Sequence, residues 1–465
     1  MKSLNKIIAV FAAVAALVSC GKEEPGEDPS EALKKLQHEK FIFKFDLDPI
    51  VVNIGEETPL KLGVRRGDET TFHDYDWAKD EAGARLSVSE PDVLSVTADH
   101  KLKGLKSGAY TTLTVMGTNN STASVKVKVE DPSTLVNPAA AFTAENVALK
   151  KVTPAAGIQC FDIDSKGNAY IIGSKTPYLY VEKFSPSGAS LGIMKLTFFG
   201  HGTSCAIEEA SDGTYIWVPS FASQDAAATY KGDRMISRLK FEAGRTWSTD
   251  DEYVQQNSWF IGDYTALCPS IDFDAGLLGI AYASDHADAG FDAKGKWVVV
   301  YKLADVKNAP RSEITLRQIT RGGEAGGPVP AVETIYMRVK PHDLRGVTPV
   351  GKFSYTTKEA YGYDFAGTSI RAMQGFCIGR GKAFFLAGYG PNRDTDYSAY
   401  TFDGKLDTSL CHFKGVDDVA NLKALELTES SYEAEGIQVR GGRMYVGFGG
   451  KIGGKSYASI IRMPK

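Results

Sequence analysis

The residues able to do chemistry in this chain are dispersed, and their spacing limits what each could do. His201 stands between Gly200 and Gly202. Two glycines let the backbone turn sharply and leave an imidazole unshielded, so this histidine reads either as a site residue or as a cap bonded to its own turn. Gln159, Gln374 and Gln438 recur at similar places in three repeated segments. An amide offers both donor and acceptor, which suits sugar hydroxyls and equally suits backbone groups between packed strands. Asp285-His286-Ala287-Asp288 has metal-ligand residue types but no second His or Glu cluster nearby. Asp162-Ile163-Asp164 with Gly167 resembles the start of a calcium loop but lacks the distal glutamate. Neither is read as a metal centre. Glu208, Glu209, Asp272 and Asp274 fall on or beside hairpins, whereas glycoside hydrolysis needs two carboxylates converging on one pocket. No nucleophile-elbow, zincin or P-loop pattern occurs. The reading assigns no catalytic residues, no metal and no cofactor.

The elements that position these residues are repeats. Residues 197–218, TFFGHGTSCAIEEASDGTYIWV, read as a glycine-flanked turn, a strand, a polar tip and a second strand. The same unit returns at 157–173, 264–282, 373–388 and 435–449, five copies in all. Each is followed by a further strand-like run: LYVEKF, MISRLKF, WVVVYKL, SAYTF and YASIIRM. A recurring meander of three or four strands is the sequence form of a β-propeller blade. A single blade cannot bury both faces, so the five copies predict a five-bladed propeller over 141–465. Residues 142–152 form an orphan strand ahead of the first repeat, expected to close the ring against the last blade and so remove a free edge. Residues 320–369, with paired glycines, Pro328 and a Tyr/Phe cluster, read as a structured insertion, because loops of that length are usually functional.

Ahead of the propeller the chain reads in three pieces. Lys2 and Lys6 precede a purely apolar run at 7–18, the length of a signal-peptide core and too short to span a bilayer. Leu17-Val18-Ser19-Cys20 resembles a bacterial lipobox, which implies a signal peptide at 1–19 and a lipid on Cys20. Lys22-Glu23-Glu24 within the acidic tether 20–30 resembles the surface-export signal of lipoproteins in the Bacteroides group. Together these imply an outer-membrane, lipid-anchored and surface-exposed protein that meets the membrane through its lipid alone. Residues 31–131 have turn signals every 8–12 residues, right for a small β-sandwich. LSVSEPDVLSVTADHKLKGL at 86–105 resembles the core of the group 2 bacterial Ig-like domain. Residues 132–140, with Pro132 and Pro138, are the expected linker. The fold class is thus all-β, a small Ig-like sandwich followed by a propeller.

Composition agrees with an exported body. The 465 residues carry a formal charge of −4, with 47 glycines and 11% aromatics. No basic stripe argues for nucleic acid. Cys160, Cys205, Cys268, Cys377 and Cys411 have no framework spacing, and read as small buried residues near the axis.

The region from 157 onward resembles a propeller family shared by teichoic-acid biosynthesis protein C-like proteins and the receptor-binding proteins of staphylococcal podoviruses. The matching residues are Gln159 with Phe161-Asp162, Tyr180-Val181, Ser187-Gly188, Leu191-Gly192, Gly200-His201-Gly202 and Tyr215-Ile216-Trp217. Then follow Gln374-Gly375-Phe376, Glu435-Gly436-Ile437 and Tyr445-Val446-Gly447-Phe448. The resemblance implies a five-bladed propeller and, in the phage members, binding of a cell-wall glycopolymer. The chain departs from it in the 320–369 stretch, and in having Gly157-Ile158-Gln159-Cys160 where Gln-Gly-Phe is expected. The function read here is non-catalytic binding of a glycan or polysaccharide, with other surface lipoproteins as further partners. A carbohydrate-active lyase or hydrolase on the same face is the alternative, and a protein-docking scaffold the third reading. The expected ligand-binding residues, at the ends where the chain enters the inner strands, are His201, Tyr264, Tyr361, Tyr363, Arg371, Gln374 and Glu435.

Overall fold

The computed structural model describes residues 29–47, 50–106, 109–130, 144–175, 178–224, 230–286, 291–321, 333–362, 370–388, 395–412, 426 and 432–463. The leader with Cys20, the acidic run after it, the linker at 132–140, Tyr363 and parts of 320–369 lie outside these residues. Among the described residues strand accounts for 57% and helix for 8%, so the fold is all-β. The chain divides into two units, one of residues 1–48, 60–87 and 113–125, the other of 49–59, 88–112 and 126–465.

In the first unit, Phe41–Phe45 pairs antiparallel with Leu62–Arg66, which pairs with His73–Asp74. The alternation in FIFKF buries Phe41, Phe43 and Phe45 while Lys44 faces out. Tyr75 joins that core, edge-on to Phe43 with centroids 6.0 Å apart. Helix Pro29–Glu39 precedes the strands. It was not anticipated, although Ala32 to Gln37 (ALKKLQ) are all strong helix formers.

The second unit contains a three-stranded sheet of Glu57–Pro59, Lys101–Gly104 and Leu94–Val96, and five larger sheets that are the propeller blades. Their innermost strands are Gly157–Ile163, Ala206–Ala210, Thr265–Asp272, Met373–Gly379 and Tyr432–Arg440. Each is followed by antiparallel neighbours, as in blade one with Ala169–Lys175, Tyr178–Phe184 and Ser190–Thr197. Val147–Val152 pairs antiparallel with Lys455–Arg462 and completes blade five, the ring closure expected of the orphan strand. The 320–369 stretch is more than an insertion. Glu333–Val339 forms a hairpin with Ile314–Arg321, but His342–Asp343 extends blade two and Gly351–Tyr355 is the outer strand of blade three. An outer strand needs one edge partner only, so it can arrive from far along the chain.

The inner strands run in the same direction around the axis. Asp162 meets Ile207 and Ser165 meets Glu209 between blades one and two. Gly375 packs on Gly436 and Gly379 on Val439 between blades four and five. Single side chains tie neighbouring blades. Ser204 Oγ donates to Pro269 O at 2.5 Å, and Ser270 Oγ accepts from Ile378 N at 3.0 Å. Gln438 Nε2 donates to both Phe161 O and Cys205 O at 2.9 Å. The five described cysteines are buried thiols, none of them in a disulfide among the described residues.

Candidate functional site

At the leading ends of the inner strands the sheet register slips. The slips fall between Ile158 and Cys160, Thr265 and Cys268, Met373 and Gly375, and Ala434 and Ile437. The residues passed over are Gln159, Ala266 with Leu267, Gln374, and Glu435 with Gly436. A bulge re-aims the side chain it carries and is frequent beside functional sites. Because the strands run in one direction, all four bulges lie at the same end of the axis, which we call the mouth. The glycines next to the bulged polar residues have a packing reason. A Cβ on Gly375 would come 2.9 Å from the Gly436 backbone, so the two inner strands approach at a distance only glycine allows.

A cavity of about 710 Å³ opens at the mouth between blades one and five, with Gln159, Ser174, Lys175, Glu433, Glu435 and Lys455 in its wall. Gln374 Nε2 donates to Glu433, so the carboxyl next along the mouth is already engaged. Glu435 is half-buried and makes no hydrogen bond among the described residues. Desolvation, with the charge of Glu433 adding to it, pushes its pKa up to about 9. It is therefore a neutral carboxylic acid at pH 7, able to donate a proton in a hydrogen bond as well as accept one. Gln159 Nε2 donates to Ile158 O at 3.1 Å, and its amide oxygen has no partner among the described residues. Lys175, Lys451 and Lys455 are exposed at the rim. The wall thus offers an acid, an amide, hydroxyls and ammonium groups around an open space, a set able to meet hydroxyl-rich ligands.

The other expected residues spread along the same end. His201 is exposed, with desolvation lowering its pKa, and makes no hydrogen bond among the described residues. The turn around it is set by packing: a Cβ on Gly200 (φ 75°) would fall 1.9 Å from Asp233 Oδ1. Burial raises the Asp233 carboxyl to about 7. Tyr264 is buried, its hydroxyl accepting from Asp292 N at 3.2 Å. Tyr361 and Arg371 are also buried and share the wall of a second cavity of about 310 Å³ between blades three and four. The Arg371 guanidinium is committed to Tyr361 O at 2.6 Å and to Asp396 at 2.6 Å; Asp396 also accepts from Lys128 Nζ at 2.8 Å. So the mouth cavity brings together Glu435 with Gln159, and through Glu433 it reaches Gln374. It does not gather His201, Tyr264, Tyr361 or Arg371. Tyr363 lies outside the described residues. Of the three glutamines the sequence reading places only Gln374 among the ligand-binding residues; Gln159 joins the mouth and Gln438 proves to be the blade tie described above. It missed Glu433 and Asp233. The available signal for Glu433 was its place two residues before Glu435 on the same strand; Asp233 has no such mark.

Among the described residues no group of three or more His, Cys, Asp or Glu could hold a metal ion, and no helix is long and apolar enough to cross a membrane.

Residues 158–312 match the phage 5-bladed beta propeller receptor binding platform domain. Among solved structures the chain is similar to the tail fiber of Staphylococcus aureus phage P68, at 16% identity and a TM-score of 0.42, over 68% of this chain and 52% of that one. The chain thus spans about half the length of that fiber. It is also similar to the GH43_1 enzyme from Xanthomonas citri complexed with xylose, at 11% identity and a TM-score of 0.31, over 69% of this chain and 88% of that one. A third likeness is to the PQQ-bound aldose sugar dehydrogenase from Streptomyces coelicolor, at 10% identity and a TM-score of 0.30, over 68% and 97%. No curated protein matches the chain.

Proposed function

We propose that the propeller is a receptor-binding module that holds a glycan or cell-wall-type polysaccharide at its mouth without turning it over, on an outer-membrane lipoprotein anchored through Cys20 and preceded by an Ig-like domain. The observation that carries this reading is the mouth cavity itself, about 710 Å³ with the unpartnered Gln159 oxygen and Glu435 carboxyl in its wall. Polar groups without a protein partner beside a cavity of that size are what a ligand with many hydroxyls would satisfy. The match of blades one to three to a receptor-binding platform supports the same class.

A second reading, a carbohydrate-active enzyme, is favoured by one feature. Glu433 and Glu435 are two carboxyls two residues apart on one strand, one of them held protonated, and separated pKa values are how acid and base roles are divided. A glycan array followed by a reducing-end assay on the same preparation tests both. Retention of a glycan with no new reducing ends is the expected result; turnover would overturn the non-catalytic reading. For the anchor, Cys20→Ala is expected to move the protein out of the membrane fraction or leave it unprocessed.

A further inference from the structure

Between blades two and three lies a separate cavity of about 240 Å³, at the same end of the propeller as the mouth. Its wall differs in kind from that of the mouth. Tyr264, Tyr282, Tyr301 and Phe291 supply four aromatic rings, and Asp292, Lys352 and Arg345 supply charge. The sequence accounts for the geometry. Tyr282 lies two residues before the end of the strand Leu277–Ser284, which antiparallel pairing sets beside the strand Thr265–Asp272 that follows Tyr264. Those two rings sit 4.7 Å apart at 38°. Phe291 is 45% exposed and is held by stacking on His286 at 3.9 Å and 15°; His286 in turn is fixed by its bond to Asp263 O at 2.7 Å. An aromatic face kept exposed yet rigid has no role in the core.

The charges of this wall are balanced. Asp292 Oδ1 pairs with Lys352 Nζ at 2.6 Å, Asp292 Oδ2 accepts from the Tyr282 hydroxyl at 2.6 Å, and Arg345 pairs with Asp343 at 2.7 Å. A wall with no net charge selects neither an anion nor a cation. The observation that points to a ligand is Tyr301. It is only 6% exposed, it lines this cavity, and its hydroxyl has no hydrogen-bond partner among the described residues. The ring is packed while the hydroxyl at its tip opens on the cavity, where water or a ligand meets it. The volume, near that of eight liquid waters at about 30 Å³ each, lies below the roughly 300–1,000 Å³ of drug-sized sites. One ring fits.

We propose that this cleft is a saccharide subsite taking a single neutral pyranose unit. The Phe291 face stacks on the apolar face of the ring, and the Tyr301 hydroxyl and the Asp292–Lys352 pair meet its hydroxyls. It rests on the reading of the propeller as a saccharide binder and adds a second point of attachment for the same polymer.

The test uses the full chain and named monosaccharides: glucose, galactose, mannose, N-acetylglucosamine and xylose, followed by saturation-transfer-difference NMR and calorimetric titration. Tyr301→Phe removes one oxygen and keeps the packing, and Phe291→Ala alters an exposed ring, so both variants should fold. At least one sugar should bind saturably, with about three- to tenfold loss in Tyr301→Phe and a similar loss in Phe291→Ala. The proposal is overturned if none of the five sugars binds, or if the bound one is indifferent to both substitutions. If Gln159→Ala and Glu435→Gln abolish polymer binding while Tyr301→Phe and Phe291→Ala do not touch it, the mouth reading stands and this subsite falls. If the reverse holds, the subsite stands and the mouth reading falls.

Discussion

The two ends of the propeller axis use the same residue types for opposite purposes. At the trailing ends of the inner strands the buried carboxylates Asp162 and Glu208 are matched. Asp162, 1% exposed, accepts from Ile207 N at 2.7 Å and from Arg440 Nε at 2.8 Å, with Arg440 Nη2 on its other oxygen. Glu208 takes Arg238 at 2.7 Å, Trp217 Nε1 at 2.8 Å and Lys307. Desolvation works against its charge, yet those bonds hold its pKa down to about 2. At the leading ends, bulges turn Gln159, Gln374 and Glu435 toward the mouth, and Glu435 stays protonated because nothing there compensates its charge. Latching closes one end, while the other is left chemically unsaturated. Partner count therefore separates fold from function better than residue type does.

The largest effect expected from breaking this contrast is at the latched end. Asp162→Ala strands the Arg440 guanidinium, which lies against Asp162 and Ile207 O, and removing one partner of a buried pair costs about 3–5 kcal/mol. Chemical denaturation should show that loss; a change below about 1 kcal/mol would mean the latch is solvated. Next in size is Gln438→Ala. It leaves Phe161 O and Cys205 O without their shared donor, for about 1–3 kcal/mol, with glycan affinity expected to survive wherever the protein remains folded.

A third test sharpens the contrast through pH. Glu435 is raised from 4.5 to about 9 in the folded chain. The folded state thus binds a proton that the unfolded state has released, and stability falls as pH rises through that window. Its contribution is complete below about 4.5 and gone above about 9. Glu435→Gln, which is neutral throughout, should match wild type in melting temperature at pH 4 and exceed it at pH 8. Equal melting curves at pH 8 would place the carboxyl in water. Asp162→Ala should not reproduce this pH profile.

Much of the fold was legible because hairpin signals repeat. Inner strands and their partners were readable from GIQCFDIDSKGNAYIIG and its kin, and the orphan strand now paired as Val147–Val152 followed from ring closure. The outer strand Gly351–Tyr355 was not legible, since five residues in a glycine-rich, aromatic stretch carry no mark of the edge they will join. For the site, the mouth end and Glu435 with Gln374 were readable from their place where the chain enters the inner strands. What could not be read was commitment. Arg371 and Gln438 look available as residue types, but Arg371 is buried against Asp396 and Gln438 bridges blades. A hydrogen-bond partner far along the chain leaves no local trace in sequence.

The claim that the unsaturated end is the binding end is tested most directly by titrating a glycan retained on the array, against wild type and Gln159→Ala, with melting temperature recorded on the same samples. The account expects saturable binding by wild type and about three- to tenfold weaker binding by the variant, at an unchanged melting temperature. A folded wild type that retains no glycan, or a Gln159→Ala variant that binds as wild type does, would contradict it.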